Sequence, residues 1–82
     1  MSLADPNIPV VDYRGLKCPL PVLKARKLLK SMRPGEEVWI ETTDPLAVID
    51  IPHFCAESGH RLVETIEEGE IARFRLRRAD ID

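Results

Sequence analysis

Apolar and polar positions divide the chain into segments with two different periods. Val22, Ala25, Leu29 and Met32, with Leu28 beside them, recur at steps of three and four, which predicts an amphipathic helix from Cys18 to Met32. Lys24, Lys27 and Lys30 fall on its other side. Before it, Ile8 to Tyr13 is short, β-branched and flanked by prolines, fitting an edge strand that ends near Asp12, with Arg14 and Gly15 as the turn. After it, Arg33-Pro34-Gly35-Glu36 stops the helix. Val38, Ile40 and Thr42 then alternate with Trp39, Glu41 and Thr43 in a second strand.

Asp44-Pro45 reads as a helix start, with Asp44 as N-cap and Pro45 at the first helical position. Pro52 lies inside that helix and predicts either a kink or a loose first turn, with Asp50 recapping a second segment that ends at Gly59. Arg61 to Glu67 and Glu70 to Arg77 alternate again and are joined by Glu68-Gly69, which predicts a hairpin. Ala72, Phe74 and Leu76 would face the core, and Arg73, Arg75 and Arg77 the other side. The order βαβαββ is an α+β arrangement, a two-layer α/β sandwich with two helices packed on one face of a four-stranded mixed sheet. One domain is expected over residues 8–78, after a disordered extension or tag scar at 1–7 and before a short tail at 79–82.

Eighty-two residues leave no room for a second domain of ordinary size. Hydrophobic residues make up 44% and charged residues 32%, in short runs, so no membrane span is expected. Met1 to Asp5 has neither a basic start nor a following apolar core, so no export signal is expected. Two cysteines without C-x-x-C spacing then read as reduced thiols, and the expected location is the cytoplasm. The net charge of -2 matters less than its layout: from Arg14 to Gly35 there are seven basic residues and no acidic one, and Cys18 lies among them.

A thiol is a weak nucleophile until it ionises, and a helix start favours the anion through unpaired N–H groups and aligned peptide dipoles. With Cys18 as N-cap, Pro19 and Pro21 take the first and third helical positions, where a missing N–H costs no helical bond. Leu20 is left as the N–H donor to sulfur. Lys17 and Arg14 add positive charge, and together these features predict a thiol pKa below the ordinary value.

Asp12-Tyr-Arg-Gly-Leu-Lys-Cys-Pro-Leu-Pro21, then Thr43-Asp-Pro45, then Asp50-Ile-Pro-His-Phe-Cys55 with Gly59-His60, resembles the TusA family of sulfurtransferases, also called SirA-like. The resemblance runs from about Val11 to Arg77. It implies the βαβαββ two-layer fold and a catalytic Cys-Pro-x-Pro cysteine, here Cys18, framed by Pro19 and Pro21, that accepts sulfane sulfur as a persulfide. The implied donor is a cysteine desulfurase or rhodanese, and the implied acceptor is another sulfur-relay protein. Branches of the family serve tRNA 2-thiolation, sulfur oxidation, molybdenum-cofactor assembly or selenium metabolism. Leu20 stands where tRNA-thiolation members typically have glutamate, and Ile49 where they often have arginine. The relay itself is thiol exchange and requires no metal or organic cofactor.

Cys55, beside Phe54 and Ala56, reads as a packing residue rather than a resolving thiol. His53, Cys55 and His60 do not share a face and are not expected to bind zinc. Lys24, Lys27 and Lys30 offer docking for an acidic donor protein. Two other readings compete with the carrier. One is a non-catalytic RNA- or protein-binding module, since a similar topology serves RNA binding in a bacterial translation initiation factor, with Arg73, Arg75 and Arg77 meeting phosphate. The other is a thiol redox regulator at Cys18, weakened by the absence of a second cysteine nearby in sequence. Direct RNA contact is not expected of the carrier, nor is membrane association.

Overall fold

The structure is a computed structural model that describes residues 8–79. Strand β1 is Val10–Asp12, helix α1 Leu20–Ser31, strand β2 Glu37–Thr42, helix α2 Ala47–Ser58, and strands β3 and β4 are Arg61–Glu68 and Ile71–Arg77. They form one mixed sheet in the order β1-β2-β4-β3, with β1 parallel to β2 and the other pairs antiparallel. The α+β class, the element order and the two-layer arrangement are those expected. Residues 1–7 and 80–82, expected as an extension and as most of the tail, lie outside the described residues. Among the described residues, no helix is long and apolar enough to cross a membrane.

The periodicities explain which side of each element is covered. Pro21, Ala25 and Leu29 of α1 and Ala47, Ile51, Phe54 and Cys55 of α2 are buried. Val38, Ile40 and Thr42 of β2 and Ala72, Phe74 and Leu76 of β4 are buried too, and the register sets Ile40 opposite Phe74 and Val38 opposite Leu76. Burying a side chain such as Leu29 or Phe74 contributes about 1.5–3 kcal/mol. Arg78 closes the far end of α1, donating from Nη1 to the Met32 carbonyl at 2.8 Å, where a cation meets the negative end of the helix dipole.

Three local expectations are corrected. Helix α2 starts at Ala47 with Leu46 as N-cap, because Asp44 Oδ1 accepts from the Leu46 N–H at 3.3 Å in a turn ahead of the helix. Of the two expectations for Pro52, the second helix start at Asp50 is not found: α2 runs through Pro52 to a C-cap at Gly59 in the left-handed conformation, φ 87°. The hairpin loop is Gly69-Glu70, one residue later than expected, with positive φ at Gly69 alone, the pattern of a type II′ turn. A bulge between Leu62 and Glu64 also interrupts the alternation of β3.

The outer sheet face carries charge in matched pairs. Glu37 accepts from Arg75 Nε at 2.7 Å and from Arg77 Nε at 2.9 Å, while Arg73 donates to Glu41 at 2.8 Å and to Glu68 at 2.9 Å. The arginine strand is therefore largely neutralised within the sheet, and the surface it presents is not a free cationic one. Burial would push the Glu37 carboxyl up, but hydrogen bonds from two guanidinium groups outweigh it and hold it below the ordinary value. The resulting stabilisation is complete above the ordinary value of 4.5 and is lost as pH falls through the lower folded value. Glu37→Gln is expected to cost about 1–3 kcal/mol at neutral pH. In urea melts, the gap from the native protein closes in acid, and an equal gap at both pH values would contradict this assignment.

Candidate functional site

The segment ahead of α1 is pinned to the end of β2. Tyr13 N–H donates to the Glu41 carbonyl at 2.8 Å and Gly15 N–H to Thr43 Oγ1 at 2.9 Å, and Gly15 adopts a positive φ of 85° that suits glycine. The chain then reaches Cys18, whose backbone N–H donates to Asp44 Oδ2 at 2.6 Å. Asp44 thus spans both helix starts, one oxygen on Leu46 and the other on Cys18. This is how the fold brings the thiol beside α2.

Cys18 is exposed, and its Sγ lies 3.0 Å from Asp50 Oδ2, a separation at which the thiol donates to the carboxylate. Asp50 belongs to the first turn of α2. The sulfur thus faces a carboxylate, and the expectation of a lowered thiol pKa is corrected. The hydrogen bond to Asp50 favours the protonated form first, followed by partial desolvation and by the negative charges of Asp50 and Asp44, so the Cys18 pKa rises above its ordinary value.

The expected helix-cap arrangement is corrected as well. Pro19, not Cys18, is the N-cap, with Leu20 and Pro21 opening the helix. Leu20, although it precedes a proline, is the first residue of α1. Leu20 N–H does not reach sulfur, since it donates to the Lys17 carbonyl at 2.8 Å, and Leu23 N–H donates to the Pro19 carbonyl at 3.0 Å. Arg14 is not a free cation either: its Nε and Nη2 donate to the two oxygens of Asp12 at 2.8 and 3.0 Å, holding the Asp12 carboxyl down at about 2. The Lys17 side chain is exposed, as are Lys24, Lys27 and Lys30 along α1.

A geometry of this kind has a direct readout. The alkylation rate of Cys18 is expected to rise at higher pH than that of free cysteine, and Asp50→Asn to move the rise to lower pH. A native profile that matched free cysteine would contradict the Asp50 contact.

The remaining sequence candidates separate. Cys55 is 3% exposed, and burial pushes its thiol up to about 11. His53 is exposed and pairs with Glu57 at 3.2 Å, while His60 Nδ1 accepts from the Ala79 N–H at 3.0 Å. These three side chains have different surroundings, and among the described residues no three His, Cys, Asp or Glu groups are placed to hold a metal ion. A cavity of about 440 Å³ lies toward the other ends of the helices, lined by Arg26, Lys30, Phe54, His60 and Arg78 among others, and Cys18 is not part of it.

Sequence reasoning missed Asp50 as a neighbour of sulfur, having assigned it a capping role. It also missed a set of exposed apolar side chains: Leu20 and Leu23 at the start of α1, and Leu46 and Ile49 at the start of α2, are 45%, 48%, 50% and 67% exposed. The two helix starts that carry them are those joined by Asp44 and Cys18.

The chain is similar to known proteins of one family. The family described as sulfurtransferase TusA matches residues 10–78. The sulfur carrier protein TusA of Allochromatium vinosum is 38% identical over 69 residues, which span 84% of this chain and 91% of that protein. YrkF of Bacillus subtilis, named as a candidate sulfur carrier, is also 38% identical over 69 residues, but the match spans only 37% of its length. In fold, the chain resembles the crystal structure of a SirA-like protein from Desulfitobacterium hafniense, with a TM-score of 0.76, 18% identity, and coverage of 88% of this chain and 99% of that one.

Proposed function

Because the chain belongs to the TusA family of sulfurtransferases, a sulfur-carrier family, we propose that it carries sulfur as a persulfide on Cys18. The observation that supports this most is the exposed Cys18 thiol at the Cys-Pro-Leu-Pro start of α1, with its backbone anchored by Asp44. Exposure matters because a donor and an acceptor must each reach the same sulfur atom. The Cys18 thiol gives up its proton and attacks the terminal sulfur of a donor persulfide. The donor S–S bond breaks, and the donor's inner sulfur leaves with the bonding pair. An acceptor thiolate later attacks the same terminal sulfur and regenerates Cys18.

Donors of the cysteine desulfurase or rhodanese class and a relay acceptor fit this chemistry. Leu20, Leu23, Leu46 and Ile49 give partners apolar surface at the two helix starts, and Lys24, Lys27 and Lys30 give exposed positive charge for an acidic one. Leu20 and Ile49 stand where tRNA-thiolation members typically have glutamate and often have arginine, which favours partners that accept an apolar rim. The internal pairing of Arg73, Arg75 and Arg77 with Glu37, Glu41 and Glu68 favours the carrier over an RNA-binding module.

The test is a two-stage transfer. Protein incubated with a cysteine desulfurase and labelled cysteine, then repurified, is expected to deliver label to a fresh acceptor thiol. Uptake without delivery, or no uptake, would count against the role.

A further inference from the structure

The contact between Cys18 and Asp50 works against the thiolate that a nucleophile needs. Sγ donates to Asp50 Oδ2 at 3.0 Å, and Asp44 Oδ2 sits on the Cys18 N–H at 2.6 Å, so two carboxylates hold one residue. On the side of positive charge, Arg14 is engaged by Asp12, and the adjacent Lys17 is exposed. The arrangement has a use when the loaded carrier is considered beside the empty one.

Resting on the persulfide-carrier reading, we propose that Asp50 sets the balance between the empty and loaded states, favouring Cys18 as a thiol over Cys18 as a persulfide, so that sulfur is passed on rather than retained. The exchange conserves atoms and electrons: R–S–SH and Cys18–SH become R–SH and Cys18–S–SH. One S–S bond breaks, one forms, and the departing donor sulfur takes up the proton that Cys18 gave. What changes at the site is the hydrogen on Sγ.

In the empty carrier the S–H meets a carboxylate, and the hydrogen bond is charge-assisted. After loading, Sγ is bonded to a second sulfur and has no hydrogen to donate. The terminal sulfur is a stronger acid than a thiol and is anionic at neutral pH. Asp50 then faces lone pairs and negative charge where it had faced a donor, and Asp44 adds charge of the same sign. An interaction that differs in sign between two states shifts the equilibrium between them by that difference. Because Cys18 is open to solvent, water and salt moderate the effect.

Equilibration with a buffer of glutathione and glutathione persulfide, with the loaded fraction read by intact mass, tests the proposal. Asp50→Asn is expected to raise the loading constant roughly threefold to tenfold at low ionic strength, with the difference shrinking as potassium chloride is added. Asp50→Ser, which also removes the charge, should shift it in the same direction, and both variants are checked for native melting. A purely structural role for Asp50 would not produce a salt-dependent gain in loading. Equal loading constants in native protein and folded variants would overturn the role of Asp50 and leave the carrier reading standing. No sulfur on Cys18 in any of the three proteins would overturn both.

Discussion

Cys18→Ala is expected to lower sulfur uptake from a desulfurase by on the order of a hundredfold or more, with only a small change in the thermal melt from the lost exposed bond to Asp50. Cys18 is exposed, whereas Cys55, the second thiol, is 3% exposed with its pKa raised to about 11, so it offers no substitute nucleophile. The Cys18 side chain contributes no core packing, and its anchoring bond to Asp44 comes from the backbone N–H, which alanine retains. A variant that melted normally and still took up sulfur at the native rate would mean that the working atom lies elsewhere.

Phe74→Ala is expected to cost about 3–5 kcal/mol, measured as a lower midpoint in urea at unchanged slope. Phe74 is fully buried on β4, opposite Ile40 of β2 and Thr65 of β3, in the same core as Leu29 and Ile51 of the two helices. No helix or strand can close over the lost volume without moving the layer above it. A domain of this size has only about 4–12 kcal/mol in total, so the variant is expected to populate the unfolded state at moderate temperature. A loss below about 1 kcal/mol would show that the layers repack freely and that the core described is not a tightly fitted one.

The parts of the fold that were legible are those set by period. The three- and four-residue spacing from Val22 to Met32 and the alternation of β2 and β4 need only local geometry, and α1 and the central strands follow from them. The turn and cap details were less legible. Asp44-Pro45 has the form of a helix start, but the Asp44 carboxylate is held by Leu46 on one oxygen and Cys18 on the other, so the helix begins later. Pro52 lacks the N–H that would bond four residues back, yet α2 continues through it with Ile51, Phe54 and Cys55 buried on its inner side.

Neither the neighbours of the Cys18 sulfur nor the sign of the charge they carry was legible in the sequence. Motif and resemblance pointed to Cys18, but the sign of its local field was read from Lys17 and Arg14, its neighbours in the chain. Folding replaces them with Asp44 and Asp50, 26 and 32 residues away, and turns Arg14 back onto Asp12. The arginine strand gave the same lesson: its charge looked free until the register set Glu37 and Glu41 beside it. Electrostatic character depends on contacts across the fold, which spacing along one segment does not encode.

Peptide mapping of the protein after exposure to a cysteine desulfurase and cysteine bears most directly on the central claim. The account predicts one additional sulfur atom on the peptide containing Cys18, removed by a reducing thiol, and none on the peptide containing Cys55. A modified Cys55 peptide with Cys18 untouched would contradict it.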